Sequence, residues 1–193
     1  MNLKTCSSAQ KAVILLLALL SSVAHAGATT LARMSLQQLA RAADTVARVR
    51  CVATSAAWDG GNIWTVTDFD VVEAIKGTPP QRVLVRLPGG RVGHISTRVE
   101  AVPEFHPGEQ AVLFLEATRA GDYAVVAWAE GTFRIRGIPH TDGELVTQDS
   151  SAAAVFDPAT RQFRAEGIRA VPLNEFRRRL AAALARPNTG ESR

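Results

Sequence analysis

The hydrophobic pattern of this chain is most informative along Ile63–Lys76. These fourteen residues contain no Gly or Pro and are rich in Ile, Trp, Thr, Val and Phe. Turn clusters bracket them, Asp59-Gly60-Gly61-Asn62 before and Gly77-Thr78-Pro79-Pro80 after, so the stretch reads as one strand. At about 3.3 Å per residue it reaches about 46 Å, well beyond an ordinary strand, and has to bend to fit a small domain. Its parity slips: Trp64 and Val66 are apolar at even positions, then Phe69, Val71 and Ile75 at odd ones. Side chains alternate faces with period two, so the slip predicts a bulge near Thr67–Asp68 or a strand passing between two faces. Long, bent strands build small barrels. The expected fold is mainly β, a five- or six-stranded Greek-key barrel, closed or partly open.

The remaining pattern fills in that frame. Ser35-Leu36-Gln37-Gln38 fits a capping box, and Leu36, Leu39, Ala40 and Ala43 trace one face of a short helix over Ser35–Ala43. Ala47–Ala53 and Arg82–Leu87 each alternate an apolar face with a wet one. Glu109–Leu115 is apolar on both parities, so both its faces are covered and a helix lies over one of them. Ala120-Gly121-Asp122 turns into a strand over Tyr123–Ala129, and Thr132–Arg136 forms the next. Glu144–Thr147 is expected to pair weakly with Ala153–Phe156, ahead of a turn into Gln162–Ala165. Pro172–Arg186 reads as a closing helix with Leu173, Phe176, Leu180 and Leu184 as its stripe, stopped by Pro187. Ser55–Asn62 and Gly89–His106 read as long polar loops, and Asn188–Arg193 as a frayed end.

Composition changes this picture mainly at the N-terminus. Met1–Ala26 has a positive region at Lys4 and Lys11, an apolar run over Ala12–Leu20 and a small-x-small site at Ala24-His25-Ala26, the pattern of a cleavable export signal. The apolar run is too short to span a membrane, and no later one is longer. The expected mature protein is therefore periplasmic or extracellular, a single domain over residues 27–193 without a transmembrane segment. Its net charge falls from +4 to +2, with one lysine, Lys76, against nineteen arginines. So small an excess says little about partners; it is export that leaves no nucleic-acid partner expected. Cys51 is its sole cysteine, on the apolar parity of its strand, which predicts a buried free thiol.

Catalytic chemistry is hard to find. His94, His106 and His140 fall in loops without zinc-ligand spacing, and Glu104 and Glu109 complete no metal motif with them. Asp68 and Asp70 share one strand face without an opposed partner. Ser55, Ser96 and Ser150-Ser151 lack a nucleophile context. Gly89-Gly90 lacks the Lys and Ser/Thr of a phosphate loop, so no cofactor is expected. Trp64, Trp128 and Tyr123 with nearby arginines are a conceivable stacking platform, and Arg177-Arg178-Arg179 the wet side of the last helix.

Three segments nevertheless resemble a known family: Ala43-Asp44-Thr45-Val46-Ala47-Arg48-Val49, Phe69-Asp70-Val71-Val72-Glu73-Ala74-Ile75-Lys76-Gly77 and Glu109-Gln110-Ala111-Val112-Leu113-Phe114-Leu115. Their order is similar to that of the netrin-like domain, the oligosaccharide/oligonucleotide-binding (OB) type barrel of tissue inhibitors of metalloproteinases, over Leu39 to Arg136. The chain also resembles a group of uncharacterised exported bacterial proteins through Gly89-Gly90 and Pro103-Glu104-Phe105-His106-Pro107-Gly108-Glu109. The resemblance implies an OB-like barrel with a short N-terminal and a C-terminal helix. It also brings in an exported protein, such as a metalloprotease, as a partner. The inhibitors' N-terminal Cys-x-Cys wedge has no counterpart at Gly27-Ala28-Thr29-Thr30, so any such contact is expected at one barrel rim. The leading expectation is a non-enzymatic exported binding module whose oligomeric state is open. Its candidate contacts are the Ser55–Asn62 loop, with Ser55, Asp59 and Asn62, and the Gly89–His106 segment, with Arg91 and His94. The alternative is a metal-binding protein or enzyme using His94, Glu104, His106 and Glu109.

Overall fold

Ser35 starts the first helix as its spacing to Gln38 predicts. Ser35 Oγ accepts from the Gln38 N–H at 3.2 Å, and Gln38 Oε1 accepts from the Ser35 N–H at 2.7 Å. The computed structural model describes residues 33–152, 154–157, 162–165 and 167–186. The expected export signal, Pro187 and the frayed end lie outside them. Helix α1 (Leu36–Ala42) buries Leu39 and Ala40. Strands β1 (Thr45–Asp59) and β2 (Asn62–Lys76) then form one long antiparallel hairpin. Its turn residues Gly60 and Gly61 have φ of +59° and +80°, the left-handed pair that a two-residue hairpin turn needs. Ser55–Asn62 is thus not the expected loop. Ser55 to Trp58 pair with Val66 to Ile63, and only the two glycines turn.

β2 has the expected length, but its change of face falls between Val71, in the inner core, and Ile75, in the outer one, not at Thr67–Asp68. Ile63, Thr67 and Phe69 are buried while Trp64 and Val66 stay on the other side. The irregularity opposite Asp68 lies on the partner strand: Cys51 pairs with Phe69 and Ala53 with Asp68, leaving Val52 as the extra residue. Further register shifts leave Val72 and Ile75 extra on β2. Three bulges bend the hairpin as its length requires. The pattern misled because the core face carries Thr65 and Thr67, whereas two apolar residues sit outside.

β3 (Arg82–Pro88) continues the sheet, and β4 (Gly90–Val92) and β5 (Ile95–Thr97) make a small separate hairpin. β6 (Gln110–Ala117), β7 (Tyr123–Val125), β8 (Thr132–Gly137), β9 (Glu144–Gln148) and β12 (Val171–Pro172) complete the large sheet. Its order is β1-β2-β3-β7-β6-β8-β9-β12, and β1 pairs also with β6. The molecule is therefore mainly β, with a large sheet partly closed in a ring. β10 (Ala154–Asp157) pairs with β11 (Gln162–Ala165). β9 pairs with β8 and β12, not with the 153–156 segment as expected. Strand β7 ends at Val125 rather than Ala129, because the chain folds into tight turns there: the Trp128 N–H reaches Val125 O at 3.2 Å and the Gly131 N–H reaches Trp128 O at 3.1 Å.

β6 divides two cores, as its doubly apolar sequence demands. Ala111, Leu113 and Leu115 face the inside of the ring with Val49, Phe69 and Val85. Val112 and Phe114 face outward, under α1 and α2 (Leu173–Ala185), with Leu39, Phe133 and Phe176. Phe133 bridges this outer core, its ring 5.4 Å from Phe114 and 5.0 Å from Phe176. The Lys76-Gly77 corner ties the hairpin to α1. Lys76 Nζ donates to the Ala40 carbonyl at 2.8 Å, and a Cβ on Gly77 would stand 2.8 Å from Asp44 O. Among the described residues no helix is long and apolar enough to cross a membrane.

Candidate functional site

The long hairpin outruns the ring. β1 pairs with β6 from Thr45 to Arg50, and the contact ends where the Cys51 N–H donates to Glu109 O and the Gly108 N–H to Cys51 O, each at 2.8 Å. The Val52 bulge follows, and from Ala53 to Asp59 β2 is the only strand that β1 pairs with among the described residues. Residues directly opposite share a face. Thr54, Ala56 and Trp58 therefore sit on the inner side with Thr67, Thr65 and Ile63.

The segment after β3 folds back over this inner side. The Gly89 N–H donates to Ile63 O at 2.8 Å, and Thr65 Oγ1 donates to Gly89 O at 2.8 Å. Gly90 permits the approach: its φ is +126°, and a Cβ there would collide with Thr65 Oγ1 and lie 3.0 Å from the Ala56 methyl. Between the hairpin end and residues 96–106 lies a cleft of about 500 Å³, within the usual range for a binding pocket. Hydroxyl-bearing residues line it on both sides, Thr54, Thr65 and Thr67 on the hairpin and Ser96 and Thr97 opposite, with Ser55 at its border. Thr54 and Thr67 face each other with their oxygens 3.4 Å apart. Arg91, Arg98, Glu104 and His106 bring charge or imidazole to the cleft. Arg98 is 87% exposed and 3.8 Å from Glu104, and Arg91 Nε donates to Gly93 O at 3.1 Å.

A buried clamp fixes the far wall. Phe105 is 5% exposed and meets Phe69 edge-on, with centroids 5.0 Å apart. Over the Phe105 ring, at 4.8 Å, lies the guanidinium of Arg134. Arg134 also holds Asp149 through Nε and Nη2 at 2.8 and 2.9 Å, Glu109 at 2.7 Å and Glu104 O at 2.7 Å. Hydrogen bonds and charge from Asp149 and Glu109 push the Arg134 pKa up against the opposing effect of its burial. Cys51 is a buried free thiol, as expected. Burial first, then the charges of Glu109 and Asp68, raise its pKa above the ordinary value.

The residues singled out from sequence divide accordingly. Ser55, Arg91, Glu104 and His106 line the cleft. Asp59 and Asn62 close the hairpin turn, Asp59 paired with Arg86 and Asn62 Nδ2 reaching Gly60 O at 3.5 Å. His94 lies at the exposed β4–β5 turn. His106 Nδ1 is 3.5 Å from Glu109, but Glu109 already answers Arg134, and among the described residues no three His, Cys, Asp or Glu side chains group as a metal site requires. Asp68 and Asp70 both face Arg82, at 3.5 and 3.1 Å. Trp64 carries Arg86 over its ring at 4.6 Å on the outer face, whereas Tyr123 packs against the inner core. The three aromatics therefore do not share one platform. Arg177 pairs with Glu73, and Arg178 and Arg179 with Glu175. Sequence reasoning missed Thr54, Thr65, Thr67 and Thr97. Their signal was present as threonine at alternate positions of a strand, but it reads equally as β propensity.

A second cavity of about 620 Å³ lies beside α2, against Phe133 and Ile168. Among its polar groups Gln148 donates to Glu130 Oε2 at 3.2 Å, and Arg33 donates to Ser150 O at 2.8 Å. No family model matches the chain, and no curated protein is similar enough to match it.

Proposed function

We propose that this chain is an exported, non-catalytic binding module on a Greek-key OB-type barrel, and that it holds its partner in the cleft between the β1–β2 hairpin end and residues 96–106. The barrel reading rests on the ring order β1-β2-β3-β7-β6-β1 with β3 and β7 parallel, a five-strand circuit of the OB kind. The observation that carries the function is the cleft itself. It is lined by apolar side chains, hydroxyls, backbone, two arginines and His106, and the His106 N–H and imidazole both turn to Glu109, which Arg134 already holds. Its one carboxylate, Glu104, faces Arg98 at 3.8 Å, an arrangement suited to holding a ligand rather than to acid–base work. Export rests on the Met1–Ala26 pattern and makes the partner a molecule of the same compartment.

A photo-crosslinking amino acid at Ser96 tests the cleft, with the same probe at exposed Asp142, outside it, as control. Capture of one defined partner from the exported fraction through position 96 and not 142 is the expected result. Equal capture at both, or turnover of a model substrate lost on a single cleft substitution, refutes the reading. N-terminal sequencing of the exported protein should begin at Gly27.

A further inference from the structure

We infer that the cleft takes an extended, acidic polypeptide segment of a partner protein, which adds as a strand to the open edge of β1 between Ala53 and Asp59. The inference rests on the cleft reading above and specifies its ligand. In a hairpin closed by two residues, the flanking pair Asp59 and Asn62 exchange hydrogen bonds, and so does every second pair behind them. Ala57 and Ser55 therefore turn their backbone groups toward β2. Trp58, Ala56 and Thr54 turn theirs to the open edge, where no strand or loop bonds them among the described residues. The edge thus offers N–H and C=O groups at every second residue, a spacing that a second strand satisfies and a sugar or small anion does not. Seven residues of edge span roughly 20 Å, the length of an ordinary strand.

Exposed edges are normally guarded by lysine, proline, an inward charge or a covering segment. Residues 53–59 carry no lysine or proline. Beside Thr54 to Ala56 their cover is the far wall of the cleft, Ser96 to Val99 and Val102 to His106, with the cleft between. A lone chain at the usual strand spacing of about 4.8 Å would lie between that edge and the wall. A second copy of this protein would have to bring its own β2 beside its β1, and its arginines against Arg91 and Arg98. Those arginines and the hydroxyl lining favour a segment with Asp or Glu on its solvent side and β-branched residues toward Thr54 and Ala56.

A phage-displayed library of random twelve-residue peptides, panned on the purified protein, supplies the probe. Selected peptides should be rich in Asp or Glu and β-branched residues. N-methylation at every second backbone amide should weaken them at least about tenfold, with little effect at the intervening ones. Ala56→Pro removes one outward donor and no β1–β2 bond, and should weaken binding similarly while melting stays near wild type. If that variant does not fold, the N-methyl scan on wild-type protein decides alone. A bulky maleimide on a Ser96→Cys variant should block binding. No enriched peptide, or no alternation in the scan, overturns the inference, as does a dimer in sedimentation that Ala56→Pro dissociates. Peptides that ignore the N-methyl pattern but are blocked at position 96 would defeat strand addition alone. Peptides that bind despite that block would defeat the cleft reading as well.

Discussion

Replacing Arg134 with methionine tests whether the far wall of the cleft is clamped. The guanidinium side chain is 18% exposed and serves Asp149, equally shielded at 18%, and Glu109, at 38%. Removing it leaves two carboxylates without their cation and takes the donor from Glu104 O. Breaking a fully buried pair costs about 3–5 kcal/mol. Water reaches Glu109 and relieves part of this, so we expect about 2–3 kcal/mol. For a domain of this size each kcal/mol lowers Tm by about 2–4 °C, which gives a fall of about 4–12 °C. Urea unfolding gives the free energy, and amide exchange locates it. The Gly108 and Cys51 amides, bonded to Cys51 O and Glu109 O, should lose protection before the β1–β2 ladder does. Arg91→Met, at the exposed rim, should cost under about 0.5 kcal/mol. A Tm loss below about 2 °C with unchanged exchange at Gly108 would refute the clamp.

Other outcomes follow from the packing. Phe176→Ala empties the outer core beside Phe133 and should cost about 3–5 kcal/mol in urea unfolding. Gly90→Ala sets a methyl against Thr65 and Ala56 at φ +126° and should cost about 2–4 kcal/mol, whereas Gly61→Ala, with nothing within 4 Å, should cost about 1–2 kcal/mol from its left-handed backbone alone. The Cys51 thiol is raised above its ordinary 9.0, so its contribution is complete below that pH and is lost as pH rises through the folded value. Stability measured from about pH 8 to about pH 10 should fall more steeply for wild type than for Cys51→Ala, and parallel curves would count against the buried thiol.

Much of the fold was legible because it is local. The capping box at Ser35, the stripe Leu173-Phe176-Leu180 and the turn at Gly60-Gly61 each lie within a few residues and specify their elements directly. The doubly apolar Ala111–Leu115 even required two cores before either could be located. The face of β2 was less legible, because hydrophobicity ranks Trp64 and Val66 above Thr65 and Thr67. The partner strand settles the matter: the Val52 bulge holds the odd residues inward, and the Thr54–Thr67 pair makes hydroxyls tolerable there.

By itself the sequence determined the β class, the two helices and the buried thiol, and it singled out two stretches, around Ser55 and from Gly89 to His106. It did not determine that one stretch is strand, that the other folds across it, or that Arg134 pins Phe105 against Phe69. Those outcomes depend on which strands pair and where pairing stops. β1 runs on past the end of β6, and that mismatch in length between strands sixty residues apart leaves an open edge and a cleft beside it. Periodicity and turn chemistry act over one to four residues, so they write the strands. Closing the ring couples residues across the whole chain, and only that closure decides which edge is left bare.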